Sequence, residues 1–260
     1  MRRPFLRAAL ALVPIALVLA ACGGDAASLD PVAKAATKTT SGGSAHIRFT
    51  ASSTTNGVKV DIRGSGDFAS APERAQVNLQ FSSPQSNGTI RELLKGTSIY
   101  MVSPLLRSSI PGGKAWVKID LAKAGRLSGF DFNSFSAVTP RQTLELLQKT
   151  GKVTKVGSES VDGVSTTHYR ATIDPAKVKK DARLGGRKVT YEPVDVWVDG
   201  SGRVRRLRLA YSAGTAGSSD MTMSFSQYGR PLSIVLPDKS VIWDATSQVS
   251  ASANTKGANG

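Results

Sequence analysis

The sequence predicts an α+β protein in which a strongly curved antiparallel β-sheet, a half-barrel, carries a few α-helices packed on its concave face. Several segments alternate apolar and polar residues with a period of two, whereas only three short segments begin with helix-start residues. Alternation excludes a doubly wound parallel sheet, because strands buried on both faces would be apolar at every position. A curved antiparallel sheet leaves one apolar face that other elements must cover.

Alternation is clearest in three segments. Residues 58–68 and 74–81 carry an apolar residue or glycine at every second position, and Met221, Met223 and Phe225 do the same near the end of the chain. Gly64 and Gly66 predict a bend or bulge that curls the sheet. The segment 199–202, Asp-Gly-Ser-Gly, predicts a hairpin turn. Further strands are expected at residues 96–103, 114–119, 152–159, 163–173, 188–198 and 203–211.

Helix starts are marked by Asp30-Pro31, Thr139-Pro140 and Asp174-Pro175. Each pair combines a capping side chain with a proline that suits the first helical turn. We expect helices over residues 31–40, 140–150 and 175–185, the second ending at Gly151 in a left-handed conformation. Their predicted apolar stripes contain Val32, Ala35 and Ala36 in the first helix and Leu144 and Leu147 in the second.

The first 21 residues have the layout of a secretory signal. Three arginines precede an apolar run over residues 8–21, which is shorter than the roughly 20 residues of a membrane-spanning helix. Leu19-Ala20-Ala21-Cys22 resembles a bacterial lipobox, in which the cysteine is acylated and becomes the new N-terminus. We therefore expect acyl chains such as palmitate on Cys22 to hold the protein on the extracytoplasmic face of the cell membrane. The alternative is an ordinary signal peptide with a chance cysteine near its cleavage site.

The chain after the signal is predicted to contain one domain. Residues 22–28 form a tether, residues 29–245 the domain, and residues 246–260, which are rich in Ser, Ala, Asn and Gly, a disordered tail. Without residues 1–21 the formal net charge falls from +15 to +12. This excess favours either an anionic lipid surface or a solvated face that maintains solubility, and we expect no nucleic-acid partner for an exported chain.

Sequence motifs for catalysis are missing. The chain has no G-x-S-x-G elbow, no H-E-x-x-H, no P-loop and no complete dinucleotide fingerprint. His46 and His168 lie in strand-like segments without acidic partners at metal-binding spacing, which favours structural roles. We therefore expect no enzyme activity, no metal and no cofactor. A hydrolase is the remaining catalytic alternative, and it lacks a nucleophile with a visible base.

Three stretches of the second half are more distinctive than their composition. They are residues 161–169 (VDGVSTTHY) followed by Ile173-Asp174-Pro175, residues 193–199 (PVDVWVD) with Gly202-Arg203-Val204, and residues 225–234 (FSQYGRPLSI) with Pro237. Together they resemble the LppX/LprA/LprF/LprG lipoproteins of mycobacteria and related actinobacteria. That family lies within the wider group similar to the LolA lipoprotein carrier. The resemblance spans about residues 29–245 and is firmest after residue 160.

The resemblance implies a hydrophobic cavity between sheet and helices that binds acylated lipids or glycolipids and carries them between membrane and cell envelope. Methionines suit an adaptable cavity wall, and the aromatic residues between 130 and 135 could gate its mouth. The alternative is that these side chains fill an ordinary core. The expected lining residues are Val60, Ile62, Phe68, Leu79, Phe81, Met101, Phe130, Phe132, Phe135, Leu144, Leu147, Met221, Met223 and Phe225.

The expected partners follow from the same resemblance. They are a lipid or glycolipid ligand, the membrane through acylated Cys22, and a membrane transporter as a further candidate, with the protein itself a monomer. A second hypothesis comes from a different class: a non-carrier envelope sensor or interaction module that has a LolA-like fold and binds a protein partner. In that case the apolar interior would be solidly packed.

Overall fold

The computed structural model describes residues 30–55, 57–120, 122, 144–145, 147–148, 150–173, 190–214 and 217–248. One complete α-helix, α1, covers Pro31–Ser41, and 3₁₀ turns cover Pro104–Ser109 and Lys239–Val241. The strands are β1 (Ser44–Thr55), β2 (Val58–Ser70), β3 (Glu73–Ser82), β4 (Asn87–Lys95), β5 (Ser98–Val102), β6 (Trp116–Asp120), β7 (Thr150–Val161), β8 (Val164–Ile173), β9 (Thr190–Tyr191), β10 (Val194–Asp199), β11 (Val204–Ser212), β12 (Gly217–Ser226) and β13 (Ile242–Asp244). The predicted signal, the whole predicted tether, residue 29 at the domain start, the third helix and residues 249–260 of the predicted tail lie outside the described residues.

All thirteen strands belong to one sheet. Neighbouring strands follow the order β13-β6-β5-β4-β3-β2-β1-β12-β11-β10-β8-β7, and β9 pairs with β11. Within the described residues the pairings are antiparallel except for the parallel pair of β6 and β13. The path runs from β13 to β7 without closing on itself. The predicted α+β fold, a large curved and unclosed antiparallel sheet with few helices, is therefore confirmed.

The helix α1 begins at the residue that its sequence predicts. The Asp30 carboxylate accepts a hydrogen bond from the Val32 amide at 2.8 Å, and Pro31 occupies the first turn, where no N–H is needed. The helix packs against β7, β10 and β11. Its buried side chains lie on one stripe: Val32, Ala35, Ala36 and Thr39. The weak apolar stripe predicted for this helix is therefore the surface that meets the sheet.

Apolar side chains of the helical residues and of one sheet face form a common cluster. We call this sheet face the inner face and the opposite one the outer face. Leu144 and Leu147, which are helical, and Val32 of α1 pack with it. The buried inner-face residues are Ala45, Ile47, Phe68, Ala75, Leu79, Phe81, Ile90, Leu94, Ile99, Met101, Ala171, Ile173, Val194, Val196, Leu207, Met221, Met223 and Phe225. A smaller cluster of Val117, Ile119 and Ala245 lies beside β13.

Two predicted boundaries were wrong. Gly151 does not end a helix but lies in β7, because Thr150 already pairs with Ile173 of β8 and the strand ladder takes the backbone groups that a longer helix would need. The strand predicted at residues 188–198 is divided into β9 and β10. Glu192 and Pro193 separate them, since proline cannot donate to a strand ladder.

Glycine at position 64 allows two large side chains to meet on the inner face. A Cβ atom at Gly64 would lie 2.8 Å from Phe49 Cε1 and 2.7 Å from Leu79 Cδ2. Phe49 and Leu79 are its direct neighbours in register on β1 and β3, and β2 pairs with both strands without a shift. Of the predicted bend or bulge, the bulge was therefore wrong. The glycine is needed for close approach rather than for an extra residue in the strand.

Candidate functional site

Inner-face side chains form rows that cross the strands. One row contains Leu209, Met221, Ala51, Ile62 and Phe81, from β11 to β3. The next contains Met223, Phe49, Gly64, Leu79 and Ile90. The third contains Phe225, Ile47, Gly66, Val77, Glu92 and Met101. Because members of a row are direct cross-strand neighbours on one face, they form a continuous apolar surface, with Glu92 as its single charged member.

Burial changes along this surface. Near the loop that joins α1 to β1, Ile47, Phe68 and Phe225 are buried, with exposed fractions of 1%, 4% and 1%. Toward the other end of the strands, several inner-face side chains are only partly buried, although Met221 and Phe81 among them are buried. We call this region the open end, and it comprises Phe49, Ala51, Val60, Ile62 and Leu209. The inner face is therefore closed beside α1 and remains partly accessible at the open end.

The structure brings most of the predicted lining residues together. Val60 and Ile62 belong to the open end and are partly buried. The other described ones are no more than 7% exposed and lie in the common cluster: Phe68, Leu79, Phe81, Met101, Leu144, Leu147, Met221, Met223 and Phe225. Phe130, Phe132 and Phe135 lie outside the described residues. Contact of any of these side chains with a ligand stays a prediction.

Glu92 is an inner-face residue that the sequence analysis missed. It lies on β4 between Ile90 and Leu94, and its cross-strand neighbours are Val77 and Met101. Burial raises the pKa of the Glu92 carboxyl from its ordinary value to about 7. The sequence could have indicated it, because in the segment 88–94 (GTIRELL) Glu92 stands two residues from Ile90 and two from Leu94, at a position that alternation assigns to the apolar face.

The histidine of the second-half motifs belongs to a polar cluster on the outer face. His168 Nε2 lies 2.8 Å from Asp195 Oδ1, and His168 Nδ1 lies 3.1 Å from Glu159 Oε1. The His168 ring stacks on Trp197 with ring centroids 4.4 Å apart, and Arg170 Nε donates to Asp195 Oδ1 at 2.9 Å. The acidic partners of His168 come from neighbouring strands and are distant from it in the sequence. This cluster ties β7, β8 and β10 together.

His46 shows the same pattern on β1. Its Nδ1 lies 2.8 Å from Asp67 Oδ1 of β2, which is the cross-strand neighbour of His46 in register. Among the described residues no group of three or more His, Cys, Asp and Glu side chains could hold a metal ion. Both histidines thus contact carboxylates on neighbouring strands, and their structural role stays a prediction.

A second polar assembly joins α1 to the β10–β11 hairpin. The backbone N–H of Val204 donates to Thr39 Oγ1 at 2.9 Å, and the Tyr228 hydroxyl donates to the Val204 carbonyl. The Asp199 carboxylate accepts the amide of Arg203 at 3.0 Å, while the Arg203 guanidinium lies 4.4 Å from the centre of the Tyr228 ring. Burial raises the pKa of Tyr228, so its hydroxyl stays protonated as a donor. The predicted hairpin turn is confirmed.

A polar groove of about 250 Å³ lies where β3 ends and β4 begins, beside the first half of β2. Its lining residues are Asp61, Arg63, Gln80, Phe81, Ser82, Asn87, Gly88 and Thr89. Most of these side chains carry hydrogen-bonding groups, whereas sites for acyl chains are mainly apolar. The groove is therefore distinct in chemistry from the inner face.

Residues 131–234 match the family model described as LppX_LprAFG lipoprotein. This match confirms the predicted family resemblance. The LppX_LprAFG segment contains β7 to β12 and so includes His168, Asp195 and Tyr228. It leaves out β1 to β6, which carry Glu92 and most of the open end.

Known relatives cover the chain in part. An uncharacterised 31.2 kDa protein encoded in the rplA-rplJ intergenic region of Streptomyces griseus is 31% identical over 166 residues, which are 56% of this chain and 53% of the relative. The chain therefore spans about half the length of that relative. A second Streptomyces relative, from Streptomyces coelicolor, is 30% identical over 122 residues, or 45% of this chain and 38% of its own length.

Two solved structures from mycobacteria are similar to this chain. LprF from Mycobacterium bovis is 16% identical with a TM-score of 0.49, and the match covers 80% of this chain and 95% of that one. The lipoprotein LppX of Mycobacterium tuberculosis is 19% identical with a TM-score of 0.46, covering 79% of this chain and 100% of that one. Both matches stay below a TM-score of 0.5 and below 25% identity, so neither adds to what is described of this fold and site. No helix among the described residues is long and apolar enough to cross a membrane.

Proposed function

We propose that this chain is an exported lipoprotein, anchored in the cell membrane through acylated Cys22, that binds acylated lipids or glycolipids on its inner face and carries them between membrane and cell envelope. The observation that carries the proposal is the continuous apolar surface that stays partly accessible at the open end. Each methylene that moves from water onto such a surface contributes about 0.8 kcal/mol. A surface that spans β11 to β4 can accommodate an extended acyl chain.

Two further observations support the proposal. The tetrapeptide that ends at Cys22 resembles a lipobox, and the LppX_LprAFG segment belongs to a family described as lipoproteins. The family match covers residues 131–234 only, so the ligand is proposed from the inner face itself. A carrier also requires reversible binding, and the contrast between a closed and an open end provides an entry side.

The test is the lipid content of the purified protein. We would express the full chain in a lipid-rich actinobacterial host, extract the purified protein with organic solvent and analyse the extract by mass spectrometry, since covalent acyl chains remain on the protein. The variant Ile62→Trp should lose most of the extracted lipid, because the larger ring fills the open end. Its matched control is Val235→Trp, at a side chain that is 80% exposed.

Two results would oppose the proposal. One is wild-type protein without extractable lipid and without uptake of a fluorescent acyl probe. The other is equal lipid content in wild type, Ile62→Trp and Val235→Trp at equal thermal stability. Either result removes the inner face as a ligand site while leaving the acyl anchor as a separate question.

A second function is favoured by one specific observation. Nine of the predicted lining residues are at most 7% exposed, as expected for a solidly packed core rather than a cavity wall. A packed interior would suit the envelope sensor or interaction module, which recognises a protein partner through its surface. A partner that is retained after complete delipidation, together with absence of bound lipid, would support this function.

A further inference from the structure

Glu92 occupies an apolar environment on the inner face. In register it lies between Val77 of β3 and Met101 of β5, and along β4 its same-face neighbours are Ile90 and Leu94. Of these four neighbours, Ile90, Leu94 and Met101 are at most 5% exposed. Glu92 itself is partly buried, so part of its side chain remains accessible. The carboxyl thus lies among hydrocarbon side chains on the inner face, and Glu92 is not fully buried.

Charged groups on the neighbouring elements do not neutralise this carboxyl. Alternation places Arg74, Arg91, Lys95, Lys118 and Asp120 on the outer face of β3, β4 and β6. The 3₁₀ turn that packs on β4 carries Arg107, which is exposed. Glu73 lies on the inner face of β3, but four residues, or roughly 13 Å along the strand, separate it from Val77. Within the described residues no hydrogen bond or ion pair of Glu92 is formed, and burial is the cause of its raised pKa.

A carboxyl in this position has a chemical preference. Moving an ionised carboxylate away from water costs several kcal/mol unless a partner compensates, whereas the protonated acid can donate one hydrogen bond and accept others. A hydroxyl group pairs with the protonated acid by accepting its proton and donating to its carbonyl oxygen, which leaves no charge buried. A phosphate-bearing headgroup would instead place a second negative charge beside the ionised carboxylate in a medium of low dielectric, where repulsion is strong.

We propose that Glu92 is the polar contact point of the inner face and receives a hydroxyl group at the polar end of an uncharged acyl lipid, while excluding anionic headgroups. This inference deepens the proposed function and depends on it. The acyl chains would lie on the rows toward Phe49 and Ile62, and the hydroxyl would lie at Glu92. The protonated acid is the form that matches this ligand without leaving a charge buried.

The experiment measures binding of two fluorescent lipids with identical acyl chains by the full chain anchored in phosphatidylcholine vesicles. One probe is a diacylglycerol, which has a free hydroxyl and does not titrate, and the other is a phosphatidylglycerol, whose negative charge is constant over the range used. Energy transfer from tryptophan to the probe reports binding at about pH 6 and about pH 8. The variants are Glu92→Gln, which keeps a hydrogen-bonding side chain without charge, Glu92→Leu, and the exposed control Glu192→Gln.

With a carboxyl that titrates at about pH 7, the protonated fraction falls from about nine-tenths to about one-tenth between the two conditions, so wild type should bind the diacylglycerol nearly tenfold more weakly at the higher pH. Glu92→Gln should bind it equally at both pH values and gain affinity for phosphatidylglycerol. Glu92→Leu should lose the preference for the hydroxyl probe but keep acyl binding. Glu192→Gln should behave as wild type.

The outcomes separate the two proposals. If wild type and both Glu92 variants share one pH profile and one headgroup preference while all bind the probes, the role of Glu92 is overturned and lipid binding stands. If wild type binds neither probe at either pH, the proposed function fails and the role of Glu92 fails with it. Glu92→Leu is expected to keep the fold, because leucine only extends the surrounding apolar surface, so a change in its binding reports on the carboxyl rather than on misfolding.

Discussion

Replacing Thr39 with valine removes a hydrogen bond between α1 and the sheet while keeping the size of the side chain. Thr39 is 2% exposed and Val204 is 0% exposed, and the Val204 amide has Thr39 Oγ1 as its acceptor at 2.9 Å. In the variant this N–H stays buried without a partner, which costs about 1–3 kcal/mol. The threonine hydroxyl also donates to the Ala35 carbonyl at 2.7 Å, a bond within the helix that any threonine-to-valine change loses.

Thr40→Val is the matched control. The Thr40 hydroxyl donates to the Ala36 carbonyl at 3.1 Å, so this variant loses the same kind of helical bond at the next position but no bond to the sheet. Urea unfolding should show Thr39→Val less stable than Thr40→Val by about 1–3 kcal/mol at an unchanged m-value. Equal midpoints for the two variants would refute the view that the Thr39 hydroxyl holds α1 on the β10–β11 hairpin.

Three other predictions test the pH dependence, the anchor and the close approach at Gly64. The folded Glu92 carboxyl titrates at about pH 7 and the unfolded one near its ordinary value, so between these two pH values the folded state holds a proton that the unfolded state has lost. The free energy of unfolding of wild type should therefore fall relative to that of Glu92→Gln by roughly 3 kcal/mol as the pH rises through this window. Parallel urea midpoints from pH 4.5 to pH 8 would contradict this. Cys22→Ser should abolish acylation and either release the protein from the membrane fraction or leave an unprocessed precursor. A variant that is still processed and still fractionates with the membrane as wild type does would exclude the anchor. Gly64→Ala should cost about 1–3 kcal/mol because the new Cβ would lie 2.8 Å from the Asn78 carbonyl oxygen, whereas Gly112→Ala, with open space around it, should be close to neutral in thermal unfolding.

Strands with water on one face were predictable from sequence, and others were not. In β2 and β3 the inner face is apolar or bare and the outer face polar, so the period of two is visible without coordinates. In β4 the pattern fails, because Leu93 is 1% exposed although it points away from the inner face, next to Leu94. The last four residues of β1 are Ser-Ser-Thr-Thr, which carry no apolar signal. These strands are fixed by pairing with their neighbours rather than by local composition.

The candidate site, too, could be predicted from the sequence only in part. Which residues are apolar and in phase is local information, so most of the lining residues could be placed on one face before any coordinates. Partners across strands are not local: Glu159 and Asp195 reach His168 only because β7 and β10 flank β8 in the sheet. The position of Glu92 opposite Val77 and Met101 likewise depends on the register of β3, β4 and β5. Sequence patterns therefore predict the chemistry of the face but not its contacts.

The residues that match the family model and the residues proposed to meet the ligand occupy different parts of the sheet. His168, Asp195, Asp199 and Tyr228 lie within residues 131–234, and their contacts tie strands, hairpin and α1 to one another on the outer face and at one end of the sheet. The open end and Glu92 lie mainly on β1 to β4, outside that segment. The match to the family model therefore concerns the scaffold of β7 to β12, and the ligand must be determined from the inner face of this chain, most of which lies on β1 to β5.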